Sequence, residues 1–192
     1  MRRVRRDTSD AAWWARGVAR ALLRAEARAL VILDDVKGVP ALYDAGPDSL
    51  EREFLDGMPM QEGRPTDPEY FRLAASLLRR MHRLGVIHND LAKEPNLLVQ
   101  TDGRPAFVDF QLARYWPARG KLFRILARED LRHLLKHKRT YCAKYLTARE
   151  KAILENPSAI ARLWMATVKP VYLFVTRRIM GWQDREGAGD RV

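Results

Sequence analysis

One stretch in the middle of the chain, residues 77–111, constrains the fold most strongly. It begins with the end of an amphipathic helical pattern that Gly85 closes. A His-Asn-Asp sequence comes next, and then two apolar runs flank Thr101-Asp-Gly-Arg104, which predicts a hairpin with glycine in its turn. Asn96 stands where the first strand starts and Asp109 where the second strand ends. Because hairpin strands are antiparallel, we expect these two side chains to converge.

The polar residues around this hairpin have the chemistry of a small active site. Asn96 and Asp109 offer oxygen atoms, which are the ligands that a hard cation such as Mg²⁺ prefers. Asp90, in the preceding loop, offers a carboxylate that can accept a proton from a hydroxyl nucleophile. Any one of the three alone is more often a loop cap or a turn residue. Their occurrence in this order, between a closed helix and a hairpin, favours a site that carries out chemistry.

The same residues resemble two motifs of the protein-kinase-like superfamily. His88-Asn-Asp90 through Asn96 is similar to the catalytic loop, and Asp109-Phe-Gln111 is similar to the DFG metal-binding motif. The resemblance implies Asp90 as catalytic base, Lys93 as a cation for the transferred phosphoryl group, and Asn96 and Asp109 as Mg²⁺ ligands. It implies ATP as the phosphoryl donor and His88 as the structural anchor of the loop.

The resemblance extends over the chain from about Val4 to Asp130. Residues 23–30 resemble helix C of the family, with Glu26 in the ion-pairing position. Arg6 (or Arg5) then stands where the family has its phosphate-binding lysine. Residues 53–57 would form the hinge that holds adenine through backbone hydrogen bonds, which makes Glu53 and Leu55 cofactor-binding residues.

Three departures from the family pattern leave the activity open. The sequence has no Gly-x-Gly-x-x-Gly, and no lysine precedes Lys37. Asn96 lies six positions after Asp90 instead of the usual five, so either Glu94 shares the metal or the loop bulges. A minimal working kinase and a catalytically inactive relative, which would bind nucleotide or an anionic membrane, are both compatible with these losses. We favour the enzyme, because the acidic and amide groups needed for metal and base are all present.

Positive charge is concentrated in residues 112–151, which contain twelve basic and three acidic residues of a chain with net charge +11. Such a density attracts phosphate on nucleic acid, on anionic lipid or on a small molecule, although basic residues also simply solvate helix faces. Aromatic residues do not interleave with the charges and no nucleic-acid-binding motif accompanies them, which argues against nucleic acid as a partner.

Residues 163–182 are apolar and carry four aromatic anchors and a basic pair: Trp164, Tyr172, Phe174, Trp182 and Arg177–Arg178. This pattern is compatible with a segment that lies in a membrane interface. It is also typical of a core helix kinked at Pro170, which we favour. No run of residues is long and apolar enough for an ordinary membrane span. Cys142, the single cysteine, fits a reducing cytoplasm.

Local patterns also predict the elements around this stretch. A helical period that includes Trp14 and Val18 precedes two short strands, at 39–43 and 50–55. Thr66-Asp-Pro-Glu69 is a capping signal for a helix. The core-facing stripe of that helix consists of Phe71, Ala74, Leu77, Leu78, Met81 and Leu84. Residues 147–150 form a further capping box, with Thr147 and Glu150 at its ends.

These observations predict an α+β protein with a protein-kinase-like fold. We expect a reduced N-terminal lobe over residues 1–60 and a mainly helical C-terminal lobe over residues 61–192. Among kinase-like proteins, the chain is most similar to a small bacterial branch with lipopolysaccharide core kinases and RIO-type atypical kinases. The predicted reaction transfers the γ-phosphoryl group of ATP to a hydroxyl of a glycolipid, a lipid-linked sugar or a protein Ser/Thr. The expected location is the cytoplasm, with peripheral binding to the inner face of the membrane as an option.

Overall fold

The computed structural model describes residues 2–9 and 12–156, and its N-terminal part is built on a three-stranded antiparallel sheet. Strands β1 (Arg3–Asp7), β2 (Leu42–Ala45) and β3 (Ser49–Glu53) are arranged in the order β1-β3-β2. In β3 the side chains alternate, so that Leu50 and Arg52 are buried while their neighbours are half-buried. The predicted strand at 39–43 begins three residues later than expected, because Val39 and Pro40 are buried ahead of the sheet.

Helix α1 (Arg16–Ile32) lies between β1 and β2 in the chain. Its buried positions are Leu23, Glu26, Ala29 and Leu30, at three- and four-residue spacing. The buried face predicted from Trp14 and Val18 is therefore wrong, since these side chains are 63% and 64% exposed. Burial starts only at Leu23 because α1 packs on β2, β3 and residues 110–115 with its C-terminal half.

After the single-turn helix α2 (Met60–Gly63), helix α3 (Pro68–Arg83) has the predicted cap and the predicted apolar face. Asp67 accepts a hydrogen bond from the Glu69 backbone N–H at 2.8 Å, and proline occupies the first turn. Five of the six expected residues are buried, together with Tyr70, whereas Leu84 is 41% exposed beyond the last turn. Gly85 follows with φ +81°, and a Cβ there would lie 2.8 Å from the Trp116 carbonyl oxygen. Glycine is thus required where the chain leaves α3.

Two small sheets connect the segments on either side of α3. Strand β4 (Met58–Pro59), which leads into α2, pairs with one side of β6 (Leu97–Val99). The predicted hairpin is confirmed as β6 and β7 (Pro105–Phe107), with Gly103 at φ +77° in its turn. Strand β5 (Val86–Ile87) pairs separately with β8 (Arg114–Tyr115). The chain has therefore left the first sheet by residue 58.

The C-terminal part of the described chain is helical. Helix α4 (Lys121–Cys142) packs on α3, and α5 (Ala148–Glu155) starts with the predicted capping box of Thr147 and Glu150. Two of the twelve basic residues in this region, Arg132 and Lys138, are buried and paired with Glu129 and Glu150. The predictions for residues 163–182 lie outside the described residues.

The main hydrophobic core lies where α1, α3, α4 and the β6–β7 hairpin meet. Its largest fully buried side chains include Leu30, Leu78, Met81, Phe107 and Phe110. Within residues 2–9 and 12–156, no helix has both the length and the apolar character required to cross a bilayer.

Candidate active site

Helix α4 holds the loop that carries Asp90 in place through hydrogen bonds to Asp130. The Asp130 carboxylate accepts hydrogen bonds from the backbone N–H groups of His88 at 2.8 Å and Asn89 at 2.9 Å. Its Oδ2 also lies 3.2 Å from His82 Nε2. Since Asp130 is 2% exposed, these hydrogen bonds form away from competing water. Asp130 therefore fixes the backbone of the loop that begins after β5.

His88 joins this loop to the far strand of the hairpin. Its ring is fully buried, with Nε2 3.0 Å from the Val108 carbonyl oxygen and the ring centroid 4.7 Å from that of Phe110. The His88 ring therefore connects the segment just before Asp90 to the segment just before Asp109. Asn89 and Asp109 both have positive φ, 63° and 64°, which Asn and Asp tolerate better than most residues. Strained backbone of this kind is typical of functional sites.

Asp90, Lys93 and Asn96 form one cluster in the loop. Asn96 Nδ2 donates to both the backbone oxygen and Oδ2 of Asp90, each at 2.9 Å. Lys93 Nζ lies 3.4 Å from the same Oδ2. The extra residue in the loop is accommodated in a 3-10 turn over Glu94–Asn96, and the buried Glu94 lies 3.9 Å from His137 Nδ1. Of the two possibilities for the longer loop, a metal ligand at Glu94 and a bulge, this geometry favours the bulge, because Glu94 lies beside His137.

The environment of Asp90 suits a group that exchanges protons. Burial raises the pKa of the Asp90 carboxyl, and the nearby Lys93 offsets part of that rise. The side chain keeps 12% of its surface exposed, so a substrate hydroxyl can still approach it. A carboxylate with a raised pKa is a stronger proton acceptor than an ordinary surface aspartate.

Asn96 and Asp109 are neighbours across the hairpin, as the sequence predicts. The Val108 backbone N–H donates to the Asn96 carbonyl oxygen at 3.0 Å, one residue before Asp109. Because the Asn96 amide nitrogen is bonded to Asp90, its Oδ1 is left as the acceptor atom. One carboxylate and one amide oxygen suit Mg²⁺, which commonly takes few protein ligands and completes its shell with phosphate oxygens and water. The donor set therefore fits the metal that the resemblance implies.

Arg6 reaches this pair from strand β1. Its guanidinium lies 3.3 Å from Asp109 Oδ1 and 3.4 Å from Glu26 Oε2. The structure therefore brings together Arg6, Glu26 and Asp109, which are dispersed over more than a hundred positions of the sequence. A guanidinium beside the carboxylate of Asp109 is also correctly charged to contact a phosphate group.

Glu26 has a second cationic partner that sequence reasoning missed. Arg52 Nε, from β3, lies 3.1 Å from Glu26 Oε1, and the side chains of Arg52 and Glu26 are 9% and 0% exposed. Burial raises the pKa of the Glu26 carboxyl, while Arg6 and Arg52 act in the opposite direction. The alternation of buried positions in β3, which puts Arg52 on the same face as Leu50, is the signal that could have indicated it.

The proposed adenine-binding residues lie at the end of β3. The Glu53 backbone N–H donates to the Ala41 carbonyl oxygen at 2.8 Å, and its side chain accepts from the Ala41 N–H at 3.3 Å. Leu55 lies beyond the end of β3 and is half-buried. Among the described residues, neither Glu53 nor Leu55 forms a hydrogen bond or ion pair with Arg6, Asp90 or Asp109. The backbone of Leu55, which lies outside the sheet, is therefore more available than that of Glu53 for hydrogen bonds to a base.

Asp130 is the other residue that sequence reasoning missed, and it provides a direct test of the loop anchor. We expect Asp130→Ala to lower the free energy of unfolding by about 2–4 kcal/mol, because the buried backbone N–H of His88 and the part-buried one of Asn89 both lose their acceptor. Denaturant unfolding measures this difference. Arg128→Ala on the same helix is the matched control, because Arg128 is exposed. Equal stability of the two variants would contradict the assigned role of Asp130.

Sequence comparison finds no match among protein-family models and none among curated proteins. Structure comparison does find similar folds. The Rio2 kinase from Chaetomium thermophilum matches with a TM-score of 0.56 at 16% sequence identity. The match covers 68% of this chain and 42% of that one, so the chain spans less than half the length of this solved structure. At this identity the likeness establishes the fold alone. Together with the small N-terminal sheet and the helical C-terminal part, it shows that the chain has a protein-kinase-like fold with a reduced N-terminal lobe.

Proposed function

We propose that this protein is an ATP- and Mg²⁺-dependent phosphotransferase, a minimal kinase that transfers the γ-phosphoryl group to a hydroxyl. The observation that carries the proposal is the convergence of two clusters at one end of the β6–β7 hairpin. Asp90, Lys93 and Asn96 form the first cluster, and Asp109 with Arg6 forms the second. Phosphoryl transfer requires mainly positioning and charge neutralisation, and these clusters supply the groups for both.

Each side chain then has a distinct role. The Asp90 carboxylate accepts the proton of the attacking hydroxyl, and Lys93 is near enough to pair with the phosphoryl oxygens. Asn96 and Asp109 would hold Mg²⁺, which would neutralise phosphate charge. Arg6 contacts the phosphates, while Glu26 orients it, and the backbone near Glu53 and Leu55 binds adenine.

Arg52 allows Arg6 to turn away from Glu26 and contact a phosphate group. In the structure Arg6 divides its guanidinium between Glu26 and Asp109. Because Arg52 remains paired with Glu26, the buried carboxylate keeps a counter-charge when Arg6 turns towards a phosphate. The pair of arginines thus replaces the single lysine on which the family pattern relies.

For the acceptor, we propose a hydroxyl on a lipopolysaccharide or another lipid-linked sugar, with a protein Ser/Thr as the alternative. The basic surface supports a negatively charged acceptor or an anionic membrane next to it. With such an acceptor, the protein would act from the cytoplasm, peripherally on the inner face of the membrane. The resemblance to a small bacterial group of kinases remains part of this proposal.

A second candidate function is a catalytically inactive module that binds nucleotide or an anionic membrane. The contact of Arg6 with Asp109 favours it, because a fixed cation at this carboxylate would compete with Mg²⁺.

Magnesium-dependent ATP turnover, measured together with a thermal-shift titration of Mg·ATP, separates the two. The minimal kinase predicts both a metal-dependent rise in Tm and release of ADP. A rise in Tm without turnover, in the presence of sugar-lipid and protein acceptors, would favour the binding module. No change in Tm would contradict both nucleotide-dependent forms of the proposal.

Membrane adsorption is tested separately, by co-sedimentation of the full chain with vesicles. We expect binding to anionic vesicles but not to neutral ones, because each basic residue near such a surface contributes about 1 kcal/mol. Exposed side chains that would contribute are Arg119, Lys121, Arg124 and Arg139, whereas Lys138 is paired with Glu150. Binding should weaken with added salt, since the Debye length falls to about 8 Å at physiological ionic strength. Equal sedimentation with neutral lipid would contradict the electrostatic mechanism.

A further inference from the structure

A cleft outside the candidate active site combines arginines from two elements that the sequence separates. It lies between the C-terminal end of α3, the segment 116–120 and the first turn of α4, and has a volume of about 480 Å³. We refer to it as the arginine cleft. Its lining residues are Arg79, His82, Arg83, Ala118, Arg119, Phe123 and Arg124. None of the residues assigned above to nucleotide, metal or proton transfer lines it.

The arginine cleft has four positive charges and no acidic lining residue. In the part of the chain that the structure describes, none of its four arginines forms an ion pair. Arg72, at the other end of α3, is by contrast paired with Glu69. Four guanidinium groups in one cleft repel each other unless an anion lies between them. This excess of charge indicates a negatively charged ligand.

The backbone around the cleft has the same polarity. Helix α4 begins next to it, with Gly120 as N-cap, no side-chain cap and no acidic residue in the first turn. The helix dipole therefore adds partial positive charge at the rim. Arg119 is held over the cleft, since its Nη1 donates to the Arg83 carbonyl oxygen at 3.2 Å. This hydrogen bond connects residues 116–120 to α3 and fixes the position of the Arg119 guanidinium group.

The chemistry of the lining suits a phosphate group. Arginine forks match phosphate oxygens in bidentate geometry, and several forks around one cleft suit a tetrahedral group. Phe123 is only 5% exposed, so its ring does not offer a face on which a nucleobase could stack. The volume accommodates a phosphate together with an attached sugar or glycerol unit.

We propose that the arginine cleft is a binding site for a phosphate group, carried by a phosphorylated sugar or by a lipid headgroup. Phosphate binding itself is independent of catalysis, whereas its use in recognising a phosphorylated acceptor rests on the proposed function. His82 provides the physical link, because it lines the cleft and contacts Asp130, which holds the backbone of His88 and Asn89. An occupant of the cleft is thus connected to the loop that carries Asp90.

The test is calorimetric titration of the full chain with inorganic pyrophosphate, in EDTA and low salt. The cleft variant is Arg83→Gln with Arg119→Gln. The matched control is Arg149→Gln with Lys151→Gln, which removes the same charge from exposed positions away from the cleft. We expect the cleft variant to bind about tenfold or more weakly than the wild type, and the control to stay within about twofold. No binding by the wild type, or equal weakening in both variants, would overturn the proposal.

Two further measurements separate this site from the nucleotide site and identify the source of the phosphate. Arg6→Gln should leave pyrophosphate binding in EDTA unchanged, and loss of binding in that variant would assign the anion to the nucleotide site. The Mg·ATP thermal shift of the cleft variant should equal that of the wild type, so failure of either proposal can be recognised separately.

The source of the phosphate is identified with phosphatidylglycerol vesicles. Adsorption that only the cleft variant loses would indicate a lipid headgroup. Pyrophosphate binding without adsorption would indicate a soluble phosphorylated ligand. Binding to homopolymeric RNA could be tighter than binding to pyrophosphate and weaken equally in the cleft variant and the control. That result would assign the basic surface to nucleic acid and overturn the proposal.

Discussion

Asp109→Asn is expected to abolish magnesium-dependent nucleotide binding while leaving the protein folded. The amide removes the negative charge that opposes Mg²⁺ and the phosphates, and we expect the affinity for Mg·ATP to fall by about a hundredfold or more, about 2.8 kcal/mol. Asparagine tolerates the positive φ of 64° at this position as well as aspartate does. Arg6 loses one ionic partner in the variant but keeps Glu26. A thermal-shift titration with Mg·ATP measures the loss.

The matched control for this prediction is Asp102→Asn, which changes an exposed aspartate in the turn of the same hairpin. It should bind Mg·ATP like the wild type. Nucleotide binding in EDTA should be no weaker in Asp109→Asn than in the wild type, because without metal the Asp109 carboxylate only repels the phosphates. A folded Asp109→Asn variant with unchanged affinity for Mg·ATP would remove Asp109 from the metal site and weaken the kinase proposal.

Asp90→Asn is expected to have the opposite profile, with normal Mg·ATP binding and little or no phosphoryl transfer. A general base acts on the acceptor and not on the nucleotide, and its loss typically lowers the rate by about 10²–10⁴-fold. The variant keeps an oxygen that accepts the hydrogen bond from Asn96 Nδ2. Single-turnover phosphoryl transfer and nucleotide titration, made on the same preparation, give the two parts of this result. Equal loss of binding and transfer would falsify the assignment of Asp90 as a base.

The raised pKa of Asp90 gives this prediction a pH dependence with a definite sign. Transfer by the wild type should decline as the pH falls through the pKa of Asp90, which burial places above the ordinary aspartate value of about 3.9. Residual transfer by Asp90→Asn should show no such decline.

Stability changes with pH for the same reason. Because the pKa of Asp90 is higher in the folded than in the unfolded chain, its carboxylate costs stability above the folded pKa, and acid relieves that cost. Asp90→Asn should therefore have a Tm no lower than the wild type at pH 7, and any advantage should shrink in acid. Asp44→Asn, at an exposed position of β2, is the control for a general charge effect.

Local features of the sequence predicted much of the C-terminal part. The Asp67 cap, the stripe of α3, the stop at Gly85, the hairpin around Gly103 and the capping box at Thr147 each depend on residues within a few positions of one another. Short-range hydrogen bonds and hydrophobic periodicity decide such features, so they are readable before the fold is known. The predicted pairing of the hairpin strands likewise results from its short turn.

The N-terminal part shows where this reasoning fails. The spacing of Trp14 and Val18 has a helical period, yet both side chains are exposed because α1 packs on the rest of the protein only from Leu23 onwards. Periodicity identifies a face of a helix but not how much of that face finds a partner. The charge of residues 112–151 also lies only partly on the surface, since Lys138 is buried against Glu150.

The sequence by itself determined the motif residues Asp90, Asn96 and Asp109, their order, and the hairpin that brings the last two side by side, because these depend on local chain geometry. Only the tertiary structure decided that Arg6 and Arg52 share Glu26, that Asp130 holds the loop backbone, and that Arg83 and Arg119 belong to one cleft. These partners come from separate elements, up to 103 positions apart for Arg6 and Asp109. Which of them meet depends on how helices and sheets pack over one core, and a charged side chain carries no local signal of the distant group that will neutralise it.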